Sequence, residues 1–171
     1  MQFRGANNML TCGWQQASIM PDLEDNKVSA VLCISRNKKP SITLEMYTVI
    51  GVQHYSSSFE GLTGDALERE LIRTAKIIHH FVSNKQRILI HHTNEDSAVP
   101  FVMVYYYIWQ YYSPGLDGHN LDDRQPRKKP EISIVSQSIQ ELELNGIDSD
   151  LPHETLNKLY KLENKYCAHE N

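Results

Sequence analysis

The sequence predicts an α/β fold, a mainly parallel central sheet flanked by helices, and three observations carry that prediction. The unbroken apolar run Ile88-Leu89-Ile90 reads as a central strand covered on both faces. Leu67, Leu71, Ala75, Ile78 and Val82 recur at three- and four-residue spacing just before it, as on an amphipathic helix. Strand-like and helix-like segments then alternate along the chain, the pattern of a parallel sheet joined by helical crossovers. A length of 171 residues fits one core, so residues 1–171 are expected to form a single domain with a polar loop inserted at about 113–130.

Residues 27–35 (KVSAVLCIS) and 45–53 (EMYTVIGVQ) are short β-rich runs bounded by polar residues or Pro40 and read as strands. Residues 65–83 read as a helix with Asp65 and Glu68 forming a capping box, and 87–91 as the next strand. Residues 99–111 follow as a helix that is apolar almost all round, hence buried, with Pro100 tolerated in its first turn. Residues 113–130 (SPGLDGHNLDDRQPRKKP) have no apolar period and are rich in Gly, Pro and charge, so they read as loop. Helical spacing returns at 131–144 and 153–166.

A hydrophobic fraction of 40%, a charged fraction of 22% and a net charge of −4 describe an ordinary globular chain and argue against general attraction to nucleic acid or anionic membrane. Cys12, Cys33 and Cys167 are odd in number and lack the paired short spacings of a zinc site or disulfide framework, which suits a reducing compartment. No apolar run approaches the roughly 18 residues of a membrane span, and MQFRGANN has no secretory apolar core, so the expected location is the cytoplasm. The basic run Arg124, Arg127, Lys128 and Lys129 is read first as a solvated loop, and second as a docking or nuclear-import patch.

Functional interest centres on 87–108 (RILIHHTNEDSAVPFVMVYYYI), a strand feeding a polar loop that opens into a helix. Such a loop builds anion sites, because the first helical N–H groups are unpaired and point into it. Here it runs His91, His92, Thr93, Asn94, Glu95, Asp96, Ser97, Ala98, with no Cys, Arg, Lys or Gly. Glu95 and Asp96 would complement the helix dipole with their own charge. A metal site drawn from His91, His92, Glu95 and Asp96 has suitable donor chemistry. Adjacent residues on an extended chain face opposite ways, however, so His91 and His92 should not share one ion, and no metal or other cofactor is expected. His79 and His80 near a helix end suit the dipole, and the aromatic series Tyr105, Tyr106, Tyr107, Trp109, Tyr111, Tyr112 is expected to pack in core and rim rather than stack on bases.

This stretch resembles the signature of the dual-specificity, protein-tyrosine-phosphatase-like family, H-C-x-x-G-x-x-R-S between a central strand and a buried helix. Laid on without a gap, the signature puts the family His on His91, the nucleophilic Cys on His92, the Gly on Glu95, the Arg on Ala98 and the Ser on Val99, with Tyr106 at a position where the family commonly has Tyr. MLTCGWQQAS at 9–18 is similar to the family's "LyLGs-x-x-x-A", KVSAVLCIS to "gIthVLnvs", and LPHETLNKLYKLENKY at 151–166 to "nPnpgFlrQLleyE". VIGVQHY at 49–55 is similar to "i-P-V-e-D", which puts His54 where the general-acid Asp stands.

The resemblance therefore implies a phosphatase-like fold without phosphatase chemistry. His92 cannot supply a thiolate nucleophile, and Ala98 cannot make the planar two-oxygen clamp of Arg. Glu95 and Asp96 would repel a phosphate dianion by about 1 kcal/mol per charge pair even in high dielectric. The expectation is a pseudophosphatase acting as a protein-interaction or regulatory module, its partner a kinase, a phosphatase or a phosphatase substrate, with a homodimer also open. Two alternatives remain: a metal-dependent or otherwise relocated hydrolase on the same scaffold, and an RNA-binding protein derived from an RNA 5′-phosphatase-like ancestor. A partner would meet the face around 54–60 and 92–98, or the basic loop at 124–129.

Overall fold

The computed structural model describes residues 2–35, 44–92, 97–113 and 127–167. It contains five strands, β1 (Arg4–Ala6), β2 (Met9–Thr11), β3 (Val28–Ile34), β4 (Gln53–Ser57) and β5 (Arg87–His92), ordered β1-β2-β5-β3-β4. The last four are mutually parallel, and β1 alone runs antiparallel, closing a two-residue hairpin with β2. That turn needs two left-handed residues, and Asn7 (φ 51°) and Asn8 (φ 65°) supply them, asparagine being the side chain that best tolerates this region after glycine.

Among the described residues six α-helices cover the sheet: α1 (Met20–Asp25), α2 (Leu44–Val49), α3 (Gly64–Ser83), α4 (Ala98–Tyr112), α5 (Ile134–Leu144) and α6 (His153–Tyr166). The larger core lies between one sheet face and α3 to α6; it joins Ala30, Leu32, Ile88 and Ile90 to Leu71 and Ile78 of α3 and to most of α4. The smaller one lies on the other face, where Val31 and Leu89 meet Ala17, Leu23, Tyr47 and Val52. The run Ile88-Leu89-Ile90 is thus split between two cores, which is why it does not alternate. α4 is buried around nearly its whole circumference, as its composition demands.

Several expectations need correction. Residues 45–53 are not a strand: α2 occupies 44–49 and the strand begins at Gln53. The β-branched residues Thr48, Val49 and Ile50 favour a strand locally, but Gly51 at φ 73° ends a helix here. Gly51 N–H donates to Thr48 O at 3.0 Å and Val52 N–H to Tyr47 O at 2.9 Å, the paired bonds of a left-handed helix stop. Tyr47 then packs inward at 0% exposure, and Val49 is left outside at 81%. The Asp65–Glu68 capping box does not form: Thr63 precedes α3 without a side-chain cap, and Glu68 instead accepts from Tyr166 and Lys165 of α6. α5 starts at Ile134 rather than 131, because Ser133 caps it by accepting from Ser136 N–H at 3.1 Å. Among 113–130, residues 127–130 are irregular, as expected of loop, and 114–126 lie outside the described residues.

Candidate functional site

The parallel strands end together at one edge of the sheet. His91 stands beside Cys33, and His92 is level with Ile34 and, through it, with Ser57. Alternation sends the two imidazoles to opposite faces. His91 has no exposed surface, and neither ring nitrogen has a conventional hydrogen-bond partner. Burial pushes its pKa down to about 4, a contact with the backbone of His92 opposes this, and the neighbouring rings of His54 and His92 add to it. His91 is therefore neutral at ordinary pH. His92 lines a cavity of about 410 Å³ with Thr11, Cys12 and Gly13 from the segment after β2, and with Val99 and Pro100 from α4.

His54 sits near the start of β4, opposite Val31 and three residues before the strand ends at Ser57. At about 3.3 Å per residue that is roughly 10 Å short of the edge where His92 lies. Its ring stacks on Tyr47, with centroids 4.9 Å apart and planes at 25°, and its buried Nε2 has no partner. Burial lowers its pKa. The resemblance aligned 49–55 with the stretch that carries the general acid, and those residues are a helix end, a turn and a strand start. The connection that does follow β4 at this edge, residues 58–63, carries one carboxylate, Glu60, which sequence reasoning did not single out. Placing the strand at 53–57 would have drawn attention to it.

Ala98, the first residue of α4, is 9% exposed, and Val99 behind it is 3% exposed, so both pack into the core. Ser97 precedes the helix without capping it through its side chain. Thr93, Asn94, Glu95 and Asp96 lie outside the described residues. Among the described residues no group of three His, Cys, Asp or Glu side chains could hold a metal ion. Nor does any helix of the described residues have the length and apolarity to cross a membrane. Two cysteines lie near this edge. Burial, helped by Asp22, raises the Cys12 thiol to about 12, and burial raises Cys33 to about 11, so neither is a thiolate near neutral pH.

Away from the edge, Tyr106 packs at 1% exposure with its hydroxyl 3.2 Å from His79 Nδ1, and Tyr105 bonds Tyr166 at 2.8 Å, so the aromatic series belongs to the core as expected. Arg127, Lys128 and Lys129 follow the C-terminal end of α4 in the chain and lead into α5, and Arg124 lies outside the described residues. The structure does not bring them to the His91–His92 edge: Lys129 meets α6 and Arg127 meets the end of α4.

No family model and no curated protein matches this chain. Solved structures do. The human tyrosine phosphatase-like serine/threonine/tyrosine-interacting protein superposes with a TM-score of 0.64 at 13% identity, over 96% of this chain and 97% of that one. Human DUSP28 gives 0.63 at 13% identity over 95% of each chain. A mouse putative dual specificity phosphatase complexed with zinc tungstate gives 0.62 at 17% identity, over 95% of this chain and 87% of that one. The fold is that of the dual-specificity phosphatases: an α/β domain whose five-stranded, mostly parallel sheet is flanked by helices.

Proposed function

We propose that this chain uses the dual-specificity-phosphatase fold without its chemistry, as a pseudophosphatase that serves as a protein-interaction or regulatory module with little or no phosphate binding. The observation that supports this most is the end of β5. His92 stands where the resemblance puts the nucleophilic Cys, and the two cysteines near that edge have pKa values of about 11 and 12. A thiolate attack on phosphorus therefore has no attacking group there. Ala98 offers no charge at the position of the clamping Arg, a loss worth several kcal/mol of transition-state stabilisation. One of the proteins on which this chain superposes is itself described as phosphatase-like and as an interacting protein. The partner is then a kinase, a phosphatase or a phosphatase substrate that meets the face around 54–60 and 92–98 or the basic loop at 124–129.

Turnover of p-nitrophenyl phosphate and of phosphotyrosine peptides tests the proposal. The expected rate equals the buffer blank for the natural chain and for His92→Ala alike. A rate well above the blank that His92→Ala abolishes overturns it.

A further inference from the structure

Arg127, Lys128 and Lys129 are not a free tail. The Arg127 guanidinium carbon lies 4.9 Å from the centroid of the Tyr111 ring at the end of α4. Lys129 Nζ donates to Asn164 Oδ1 of α6 at 2.9 Å. Lys161 is three residues before Asn164, hence on the same side of α6 one turn away. The other α6 lysines are paired with acids: Lys165 with Glu68 at 2.5 Å and Lys158 with Glu154 at 3.8 Å. Of the nearby acids, Glu163 is fully buried with its carboxylate turned inward onto α5, which leaves Glu131 as the exposed carboxylate among the described residues of 127–133. In a chain of net charge −4, Arg127, Lys128, Lys129 and Lys161 lie along this stretch with one exposed acid among its described residues, and Ile132 three residues after Lys129 is 61% exposed.

We propose that the surface formed by Arg127, Lys128, Lys129 and Lys161 docks an acidic protein segment, an extended stretch with spaced Glu or Asp side chains and an apolar residue that covers Ile132. This rests on the interaction-module reading and names the chemistry of the partner. Charge complementarity steers such a segment to this cationic patch on a chain of net charge −4. Anchoring Arg127 and Lys129 against α4 and α6 pre-pays part of the ordering cost that a free basic loop would meet on binding. Nucleic acid fits less well, because a face of the Tyr111 ring is already covered by Arg127 and the net negative charge opposes a phosphate backbone. A membrane surface fits less well too, since one exposed isoleucine is not an insertion face.

The test is fluorescence anisotropy of a fluorescein-labelled decapeptide of glutamates with one central leucine, titrated with the full chain. Saturable binding that weakens several-fold as salt is raised from about 50 to about 200 mM is expected. Lys128→Glu with Lys161→Glu should weaken it at least tenfold at an unchanged melting temperature. Lys76→Glu with Lys85→Glu, an equal change of net charge elsewhere, should leave it within twofold. Equal losses in the two double variants would reduce the effect to net charge and overturn the proposal. So would tighter binding to a single-stranded oligonucleotide, or to phosphatidylserine vesicles, than to the peptide. None of these outcomes bears on phosphatase turnover, which tests the underlying reading separately.

Discussion

Two helices of this fold, α4 and α5, begin in opposite ways. At α5 the chain satisfies its own helix start from afar. The Glu163 carboxylate, fully buried on α6, accepts Ile134 N–H at 3.1 Å and Val135 N–H at 3.0 Å, Tyr112 donates to it at 3.4 Å, and Ser133 takes Ser136 N–H. At α4 the preceding Ser97 makes no side-chain cap, and the acids near the start, Glu95 and Asp96, are neighbours in sequence. A buried carboxylate aimed at a helix N-terminus is the same physical device as a bound anion. At α5 it is a structural lock that ties three helices together, whereas the carboxylates nearest the α4 start in sequence, Glu95 and Asp96, lie outside the described residues. The comparison separates a helix start that the fold closes with its own carboxylate from one that, on the proposed function, would be left over from chemistry.

The largest expected effect breaks the lock. Glu163→Ala strands two buried N–H groups and the Tyr112 hydroxyl, and at 1–3 kcal/mol for each unsatisfied group a loss of about 4 kcal/mol is expected. Glu163→Gln keeps an acceptor oxygen and should lose about half as much. Urea denaturation measures both. A loss under about 1 kcal/mol for the alanine variant would mean that water replaces the carboxylate and that α5 is no better closed than α4.

That contrast also marks what could be read from the sequence. The parallel sheet, α3, α4 and α6 were legible because their signals are local and periodic: an unbroken strand core, a three-four apolar stripe, an all-apolar helix. α2 was not, because Thr48, Val49 and Ile50 carry β preference while the deciding residue, Gly51, acts through a cap. Here a helix stop outweighed local propensity. The role of Glu163 was illegible for a different reason: its partners are 28 and 29 residues away, and nothing in NKLYKLENKY distinguishes it from a solvated glutamate. The pairing of His91 with His92 at the sheet edge was visible in the motif, and so was their facing apart. The stacking of His54 on Tyr47 was not, because it depends on a helix that the sequence disguises.

A second prediction concerns acid. Unfolded His91 takes up a proton near pH 6.5, while the folded residue resists until about pH 4. Between those values the unfolded chain binds more protons, so stability falls as pH falls through this window and is fully retained above it. At 1.36 kcal/mol per unit the contribution is about 3 kcal/mol, and burial of His54 acts in the same direction. Denaturation midpoints measured from pH 7 to pH 4 should show this slope, and His91→Leu should flatten it. A slope unchanged in that variant would assign acid sensitivity to groups other than His91.

Next comes an attempt to refill the α4 end with chemistry. His92→Cys, Glu95→Gly and Ala98→Arg together return the thiol, the turn glycine and the guanidinium that the resemblance calls for. A charge-assisted bidentate contact contributes about 2 kcal/mol, so tungstate or phosphate affinity should rise by about thirtyfold over the natural chain in calorimetry. A folded triple variant that gains nothing would mean that the backbone of the loop has diverged along with its side chains.

The smallest effect is the cleanest comparison, because it makes one identical change at each helix start. Ser133 accepts Ser136 N–H at 3.1 Å, so Ser133→Ala removes a cap and should cost about 1 kcal/mol. Ser97 makes no such bond, and Ser97→Ala should cost nothing measurable. The two substitutions delete the same hydroxyl from residues that immediately precede their helices, so differences in helix propensity and in the unfolded chain largely cancel. What survives in the difference is whether the helix start relies on the residue before it. Equal costs would mean that Ser97 supports α4 as Ser133 supports α5, and the contrast between the two helix starts would be gone.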